Sequence, residues 1–165
     1  MARYTIKKKR YIKYVNKPFI LDILNNKIMK GGAKTKSRIC ILEVFNHISK
    51  ISKQNSFLIF LKALYNVSPR IRVVKEFDFK TLKLNFVKEQ LLLLKSVRMG
   101  ITILLKNCKT QKGLKFAQRF ALEVIDASLN KGLSVKKRFE LEKNVLRKTE
   151  KDQFAILSVQ KDNCK

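Results

Sequence analysis

The sequence predicts a mainly α fold, a bundle of about six helices with a β-hairpin between the third and the fourth. Three observations carry that expectation. Apolar residues recur at helical spacing in six stretches divided by glycine, proline or polar breaks. Between the third and fourth of these the period switches to two, the repeat of a strand. With 165 residues, 45 % hydrophobic and including eleven Phe, the chain has the material for the core of one domain.

The first helix is expected over residues 18–30. Pro18 suits a first turn, Asp22 lies near the positive end of the helix dipole, and Gly31-Gly32 stops the helix. Thr35 is the expected cap of a second helix. There Ile39, Leu42, Phe45, Ile48 and Ile51 form the buried face, and Lys36, Glu43, Asn46 and Lys50 stay wet. The polar break Lys53-Gln54-Asn55-Ser56 leads into residues 57–67, apolar nearly all round with Lys62 the sole charge. A helix of that kind belongs at the centre of a bundle. Pro69 ends it, because the residue before proline is driven toward extended geometry.

Two alternating runs follow. Ile71, Val73, Phe77 and Phe79 alternate with Arg72, Val74, Glu76 and Asp78, then Leu82, Leu84 and Phe86 with Lys83, Asn85 and Val87. They predict a hairpin at about 71–88 turning at Lys80-Thr81, without the Asn-Gly or Gly-Gly of the tightest turns. Helical spacing returns with Leu94, Val97, Ile101 and Leu104, and again with Leu114, Ala117, Ala121, Val124, Ile125 and Ser128 before Asn130-Lys131-Gly132. These two helices are expected to pack as an antiparallel pair. Ser134 is the expected cap of a last helix reaching about Thr149, whose sparse apolar positions, Val135, Phe139 and Leu146, put it at the periphery. Residues 1–17 read as a basic arm, 18–150 as a single helical domain and 151–165 as a loosely held tail. No internal repeat and no Pro- or Ser-rich linker marks a second domain.

Thirty-eight Lys and Arg oppose twelve Asp and Glu, a formal charge of +26. A compact body so charged repels itself, so the sequence calls for a partner whose phosphates neutralise it, with nucleic acid foremost. The first acid, Asp22, comes only after Arg3, Lys7, Lys8, Lys9, Arg10, Lys13 and Lys17. Residues 23–75 hold a single acid, Glu43, and residues 90–122 hold none. The first helix, its glycine turn, the start of the second helix and the fourth helix with Lys95 and Arg98 are therefore expected to share one basic surface. Its densest part is Lys30, Gly31, Gly32, Lys34, Lys36 and Arg38, where bare glycine backbone admits a phosphate beside a helix N-terminus. Lys131, Gly132, Lys136, Lys137 and Arg138 form a second cluster. Three successive cations at a helix N-terminus oppose the dipole, a local cost that bound phosphate offsets. Arg70 and Arg72 add charge where the hairpin begins, and its faces suit either a nucleic-acid groove or a neighbouring protein.

Enzymatic chemistry finds no foothold. There is no Gly-Lys-Ser/Thr phosphate loop and no nucleophile motif, and Glu123 with Asp126, or Glu140 with Glu142, read as solvated helix faces. No cofactor is called for. Cys40, Cys108 and Cys164 are odd in number and far apart, hence free thiols of a reducing compartment, with Cys40 and Cys108 filling core. The lone His47 has no metal-ligand spacing to them. The longest apolar run, near Leu91 to Leu94, is broken by Lys95 and Arg98 far short of the ~20 residues a membrane span needs, so no membrane partner is expected.

Three strings then resemble one family. Ala63-Leu64-Tyr65-Asn66-Val67-Ser68-Pro69-Arg70-Ile71-Arg72-Val73 is similar to the Ala-Leu-x-Asn-(Val/Ile)-x-Pro stretch of the small-subunit ribosomal protein seven family, in its bacterial and organellar form. Asn26-Lys27-Ile28-Met29 with Gly32 and Lys34 resembles that family's Asn-x-x-Met-x-x-Gly-Lys-Lys. Glu123, Asp126, Ala127, Asn130, Lys131, Gly132, Val135, Lys136, Lys137 and Arg138 resemble its Glu-x-x-Asp-Ala to Lys-Lys-Arg block. The resemblance implies six helices with an extended β-hairpin arm between the third and fourth. It also implies binding to the 3′ major domain of small-subunit ribosomal RNA, nucleation of head assembly beside neighbouring head proteins, and a place near the exit-site transfer RNA and the messenger RNA path. By the same resemblance Lys34 faces ribosomal RNA, the hairpin reaches toward the exit site, and Lys136, Lys137 and Arg138 sit near RNA.

Departures from the family pattern are local. Ala33 replaces the first lysine of Gly-Lys-Lys, the Gly-Gly hairpin tip is missing, and Leu93-Leu94 stand near paired arginines. Gly100-Ile101 stand at an Arg-Trp, and Glu142 at a histidine. With heavy use of Lys, Ile, Asn and Phe and no Trp, which fits an AT-rich organelle gene, this erosion points to a mitochondrial ribosome first and a plastid second. Two readings from other classes compete: a helical DNA-binding regulator or architectural protein that inserts the hairpin into a groove, and a peripheral protein resting Lys27 and Lys30 on anionic lipid.

Overall fold

The computed structural model describes residues 17–78, 83–110 and 113–162. The basic residues Arg3, Lys7, Lys8, Lys9 and Arg10, and the expected hairpin turn at Lys80-Thr81, lie outside the described residues. In chain order come α1 (Lys17–Ile28), α2 (Lys34–Ser52), α3 (Ser56–Val67), β1 (Ile71–Asp78), β2 (Lys83–Gln90), α4 (Leu93–Thr110), α5 (Phe116–Ser128) and α6 (Leu133–Asp162). The described residues thus form six helices with one antiparallel hairpin between α3 and α4, the predicted architecture.

The nearly all-apolar α3 lies at the centre, as expected. It buries Ile59, Phe60, Leu61, Ala63, Leu64, Asn66 and Val67 and touches α2, α4, α5 and α6. Asn55 starts it by accepting the Phe57 N–H at 3.1 Å. A second central helix was not foreseen: α5 meets α2, α3, α4 and α6, and its buried Ala117, Ala121 and Ala127 leave room for close helix approach. Phe60 and Phe120 are fully buried, each contributing about 1.5–3 kcal/mol of apolar transfer. Phe45 closes the α2–α3 contact, its ring edge-on to Phe60 at 5.8 Å.

Helix α2 departs from expectation in phase. It buries Ser37, Ile41, Val44 and Ile48, while Ile39, Leu42 and Ile51 are 58 %, 62 % and 54 % exposed. A series at strict spacing of three drifts about 60° around the helix at each step, so a lasting stripe must mix threes and fours, as the buried set does. The helix also starts before Thr35. Gly31 and Gly32, at φ +54° and +74°, fold the chain back so that the Lys34 N–H donates to Gly32 O at 2.7 Å, and Ala33 occupies the cap position without a side-chain bond.

The hairpin pairs Ile71 with Gln90 through Asp78 with Lys83, and among the described helices its strands touch α6 alone. Helices α4 and α5 pack together. Helix α6 corrects two expectations. It runs on to Asp162 instead of ending near Thr149, and among its described side chains the buried apolar ones are Val135 and Val145, while Phe139 and Leu146 face outward. Nor does Ser134 act as a cap. It lies inside the helix, and both its N–H and its hydroxyl donate to Glu123 Oε1, at 3.0 and 2.5 Å.

Candidate nucleic-acid interface

An open cationic surface is built on the α1–α2 pair. Asn25, 3 % exposed on α1, accepts a hydrogen bond from the Ser37 hydroxyl of the first turn of α2, fixing how the two helices meet. The joint is neutral, so no cation is engaged by it. Lys27, Lys30, Lys34, Lys36 and Arg38 are all exposed, and so is Glu43, the sole acid of residues 23–75. A Cβ placed at Gly31 or Gly32 would meet nothing within 4 Å, so the turn's backbone is open to an approaching group. No side chain caps the N-terminus of α2, which leaves the positive end of a 19-residue helix beside Lys34 and Lys36. Helix α1 also touches α4, where Lys95 and Arg98 are exposed in the stretch without acids. The structure therefore links the elements expected to share a basic surface through α1.

The second cluster divides. Lys131, Lys136 and Lys137 are exposed, but Arg138 is turned inward. Its Nη1 donates to Asn66 O at 2.9 Å, its guanidinium lies 4.2 Å from the Phe139 ring centroid, and its Nε is 3.7 Å from Glu142 Oε2. Glu142 Oε1 also accepts the Arg70 N–H at 3.1 Å, so the residue expected on a solvated face ties the start of the hairpin to α6. Arg70 reaches the Tyr65 hydroxyl at 3.1 Å. Arg72 pairs with Glu89 across the hairpin, 2.8 and 2.5 Å from Oε2. Arg70, Arg72 and Arg138 thus have partners inside the protein, whereas the α1–α2 cations face outward.

The strings that marked the sequence prove to be joints. Asn66 Nδ2 donates to Ala127 O at 2.9 Å and Ser128 O at 3.2 Å, tying the end of α3 to the end of α5. Ser96 Oγ donates to Pro69 O at 2.6 Å, and Gly100 lets α4 approach closely, since a Cβ there would lie 2.6 Å from Ser68 Oγ and 3.3 Å from its Cα. Glu123 is 1 % exposed and holds the first turn of α6, which corrects its reading as a solvated face; Asp126 is exposed. Sequence reasoning missed the Asn66 and Glu123 joints because a single amide or carboxylate in a mostly apolar helix leaves no periodic trace. Cys108 is fully buried and Cys40 partly so. Burial first, over smaller opposing charges, pushes the Cys108 thiol up to about 11, and burial with Glu43 raises that of Cys40.

Among the described residues no helix is long and apolar enough to cross a membrane. A helical body held by buried polar joints at Asn25, Asn66 and Glu123, with lysines turned outward along one helix pair, has the make-up of a structural protein with a strongly cationic face. The profile of the family described as ribosomal protein S7p/S5e matches residues 1–146, and the chain belongs to that family. It is a structural component of ribosomes and not an enzyme. The small ribosomal subunit protein uS7c of Bigelowiella natans is 28 % identical over 149 residues, covering 86 % of this chain and 90 % of that protein. Protein uS7 of Carsonella ruddii is 29 % identical over 83 % of this chain and 90 % of its own length. That of Thermomicrobium roseum is 27 % identical over 72 % and 75 %.

Proposed function

We propose that this chain is a structural constituent of the small ribosomal subunit, binding the 3′ major domain of its ribosomal RNA and helping to nucleate the subunit head. Family membership and the relatives named uS7 and uS7c support the ribosomal role. The observation that carries the RNA reading is the outward-facing set Lys27, Lys30, Lys34, Lys36 and Arg38 around an open glycine turn. Each phosphate neutralised there releases condensed counterions, and a folded RNA junction is selected by shape, because the cations sit on fixed helices. Lys95 and Arg98 extend the contact along α4, and Lys131, Lys136 and Lys137 add a second one. Arg70, Arg72 and Arg138 act indirectly, holding the hairpin and α6 in place. The hairpin then projects toward the exit-site transfer RNA and the messenger RNA path, with head proteins as neighbours.

The compartment is the mitochondrion, with the plastid second. The AT-rich residue usage and the loss of basic side chains at Ala33, Leu93 and Leu94 support this, and the plastid and bacterial relatives fit a ribosome of organellar or bacterial type. Neutralising Lys30, Lys34, Lys36 and Arg38 together tests the RNA interface. The slope of log affinity against log salt for the 3′ major domain should flatten by about 0.7–0.9 for each phosphate no longer neutralised, hence roughly 2.8–3.6 if all four cations reach phosphate. An unchanged slope removes this surface from the interface. Crosslinking in native cells, with sequencing of the attached ribosomal RNA, identifies the compartment through the RNA's own genome.

A further inference from the structure

On the side formed by α2, α3 and α5, two grooves meet at Ile51. One, of about 410 Å³, is lined by Leu58, Lys62 and Leu129 among others, and the other, of about 230 Å³, by Leu114 and Leu122 among others. Ile51, Leu58 and Leu129 are each more than half exposed, so the apolar surface continues out of the grooves onto the rim. A self-repelling protein of charge +26 has ample polar material for this face, and a connected aliphatic strip on three different helices marks an interaction site. Its chemistry selects the class of partner. A charged sugar-phosphate backbone gains little by covering leucines, whereas an apolar protein segment gains about 25 cal/mol for each Å² removed from water.

Charge narrows the choice further. Among the described residues no Asp or Glu lines either groove, Lys62 lines the larger one, exposed Lys50 and Lys53 flank Ile51-Ser52 in the chain, and exposed Lys131 follows Leu129 by two residues. A basic segment would be repelled by this setting, and so would a second copy of this chain. We infer that this face docks an acidic, amphipathic segment of a neighbouring protein, its apolar side in the groove at Ile51 and Leu58 and its carboxylates on the lysines around it. The inference rests on membership of the ribosomal particle and not on which RNA region the α1–α2 face binds.

Photo-crosslinking benzoylphenylalanine, placed at Leu58 or Leu129 of the full chain in purified ribosomal particles, reads out what covers the face. The expected product at both positions is one protein, joined through a segment with Leu, Ile or Phe next to Asp or Glu. Crosslinks to ribosomal RNA, to a second copy of this chain or to a basic segment would overturn the inference. So would the absence of any product at both positions while the same probe at Lys36 gives one. The Lys36 probe reports separately on the RNA interface, so failure of that reading would be seen at Lys36 alone. Leu58→Asp, at an exposed position, should lower occupancy of the crosslinked neighbour about tenfold or more without changing the RNA crosslink at Lys36. Lys62→Glu should act in the same direction. Unchanged occupancy in both variants would refute the docking role.

Discussion

Replacing Asn66 tests whether the joint between α3 and α5 holds the bundle together. In the wild type its Nδ2 supplies hydrogen bonds to Ala127 O and Ser128 O, the last carbonyls of α5, at 2.9 and 3.2 Å. Asn66→Ala removes both. Ala127 O keeps the Asn130 N–H at 3.2 Å, so that loss is one secondary bond, about 0.5–1.5 kcal/mol. Ser128 O loses its Asn66 partner in a residue only 6 % exposed, a cost of about 1–3 kcal/mol. Together they predict a destabilisation of about 1.5–4.5 kcal/mol, or a fall in Tm of roughly 3–18 °C. Asn66→Asp keeps the shape but sets a carboxylate against two carbonyl oxygens, so it should be less stable than Asn66→Ala at neutral pH. Urea unfolding of the full chain at one ionic strength, followed by circular dichroism, measures both. A loss below about 0.5 kcal/mol for Asn66→Ala, or an Asp variant as stable as the Ala variant, would refute the argument.

Gly100→Ala should destabilise by about 1–3 kcal/mol in the same assay, because the new Cβ meets Ser68 Oγ and backbone; adding Ser68→Ala should recover part of the loss, and strictly additive effects would deny the contact. Glu142→Ala should speed hydrogen exchange at the Arg70 amide and cost about 1–3 kcal/mol overall, because it also takes the carboxylate from the part-buried Arg138 guanidinium. Unaltered exchange would mean that Glu142 does not hold the hairpin's start. The Cys108 thiol stays protonated in the folded protein up to about pH 11 but ionises near 9 when unfolded. Its stabilising contribution is therefore complete below pH 9 and is lost as pH rises toward 11. Alkylation followed by peptide mass should label partly exposed Cys40 before buried Cys108, and equal rates would contradict that burial.

Much of the fold was legible because strong local signals act over short distances. Gly31-Gly32, the Asn55-Ser56 break and Pro69 divide the chain, and the near-unbroken apolar run after Ser56 could only be a central helix. What failed was phase. Ile39, Cys40, Ile41 and Leu42 offer apolar side chains in every direction around α2, so periodicity could not say which of them faces the core. The choice is made by Asn25 on another helix, which takes Ser37 into the interior. The same limit hid Glu123. A buried carboxylate is improbable from composition, and it becomes favourable only where the first turn of α6 presents it with an N–H and a hydroxyl. Charge reading located the exposed lysines, but it could not separate Arg138, folded back onto Asn66 and Glu142, from Lys136 and Lys137 beside it.

That separation bears on how a protein of charge +26 can be both stable and adhesive. A cation paired inside the fold offers little to a phosphate, because binding would have to offset the broken pair and the reburial of its partner. Arg138, held on Asn66 O and beside Glu142 where the hairpin meets α6, is a cation of that kind, whereas the Arg72–Glu89 pair across the hairpin stays open to water. On the α1–α2 face the reverse holds. The helices are joined by Asn25 and Ser37, which carry no charge, so Lys30, Lys34, Lys36 and Arg38 can meet phosphate without breaking that joint. Their mutual repulsion is borne by the core of α3 and α5, and phosphate relieves it. One part of the molecule thus uses its arginines for shape, and the other keeps its lysines for the partner. The hairpin's direction and the RNA affinity should therefore respond to different substitutions, the first to Glu142 and Asn66, the second to the cations around Gly31-Gly32.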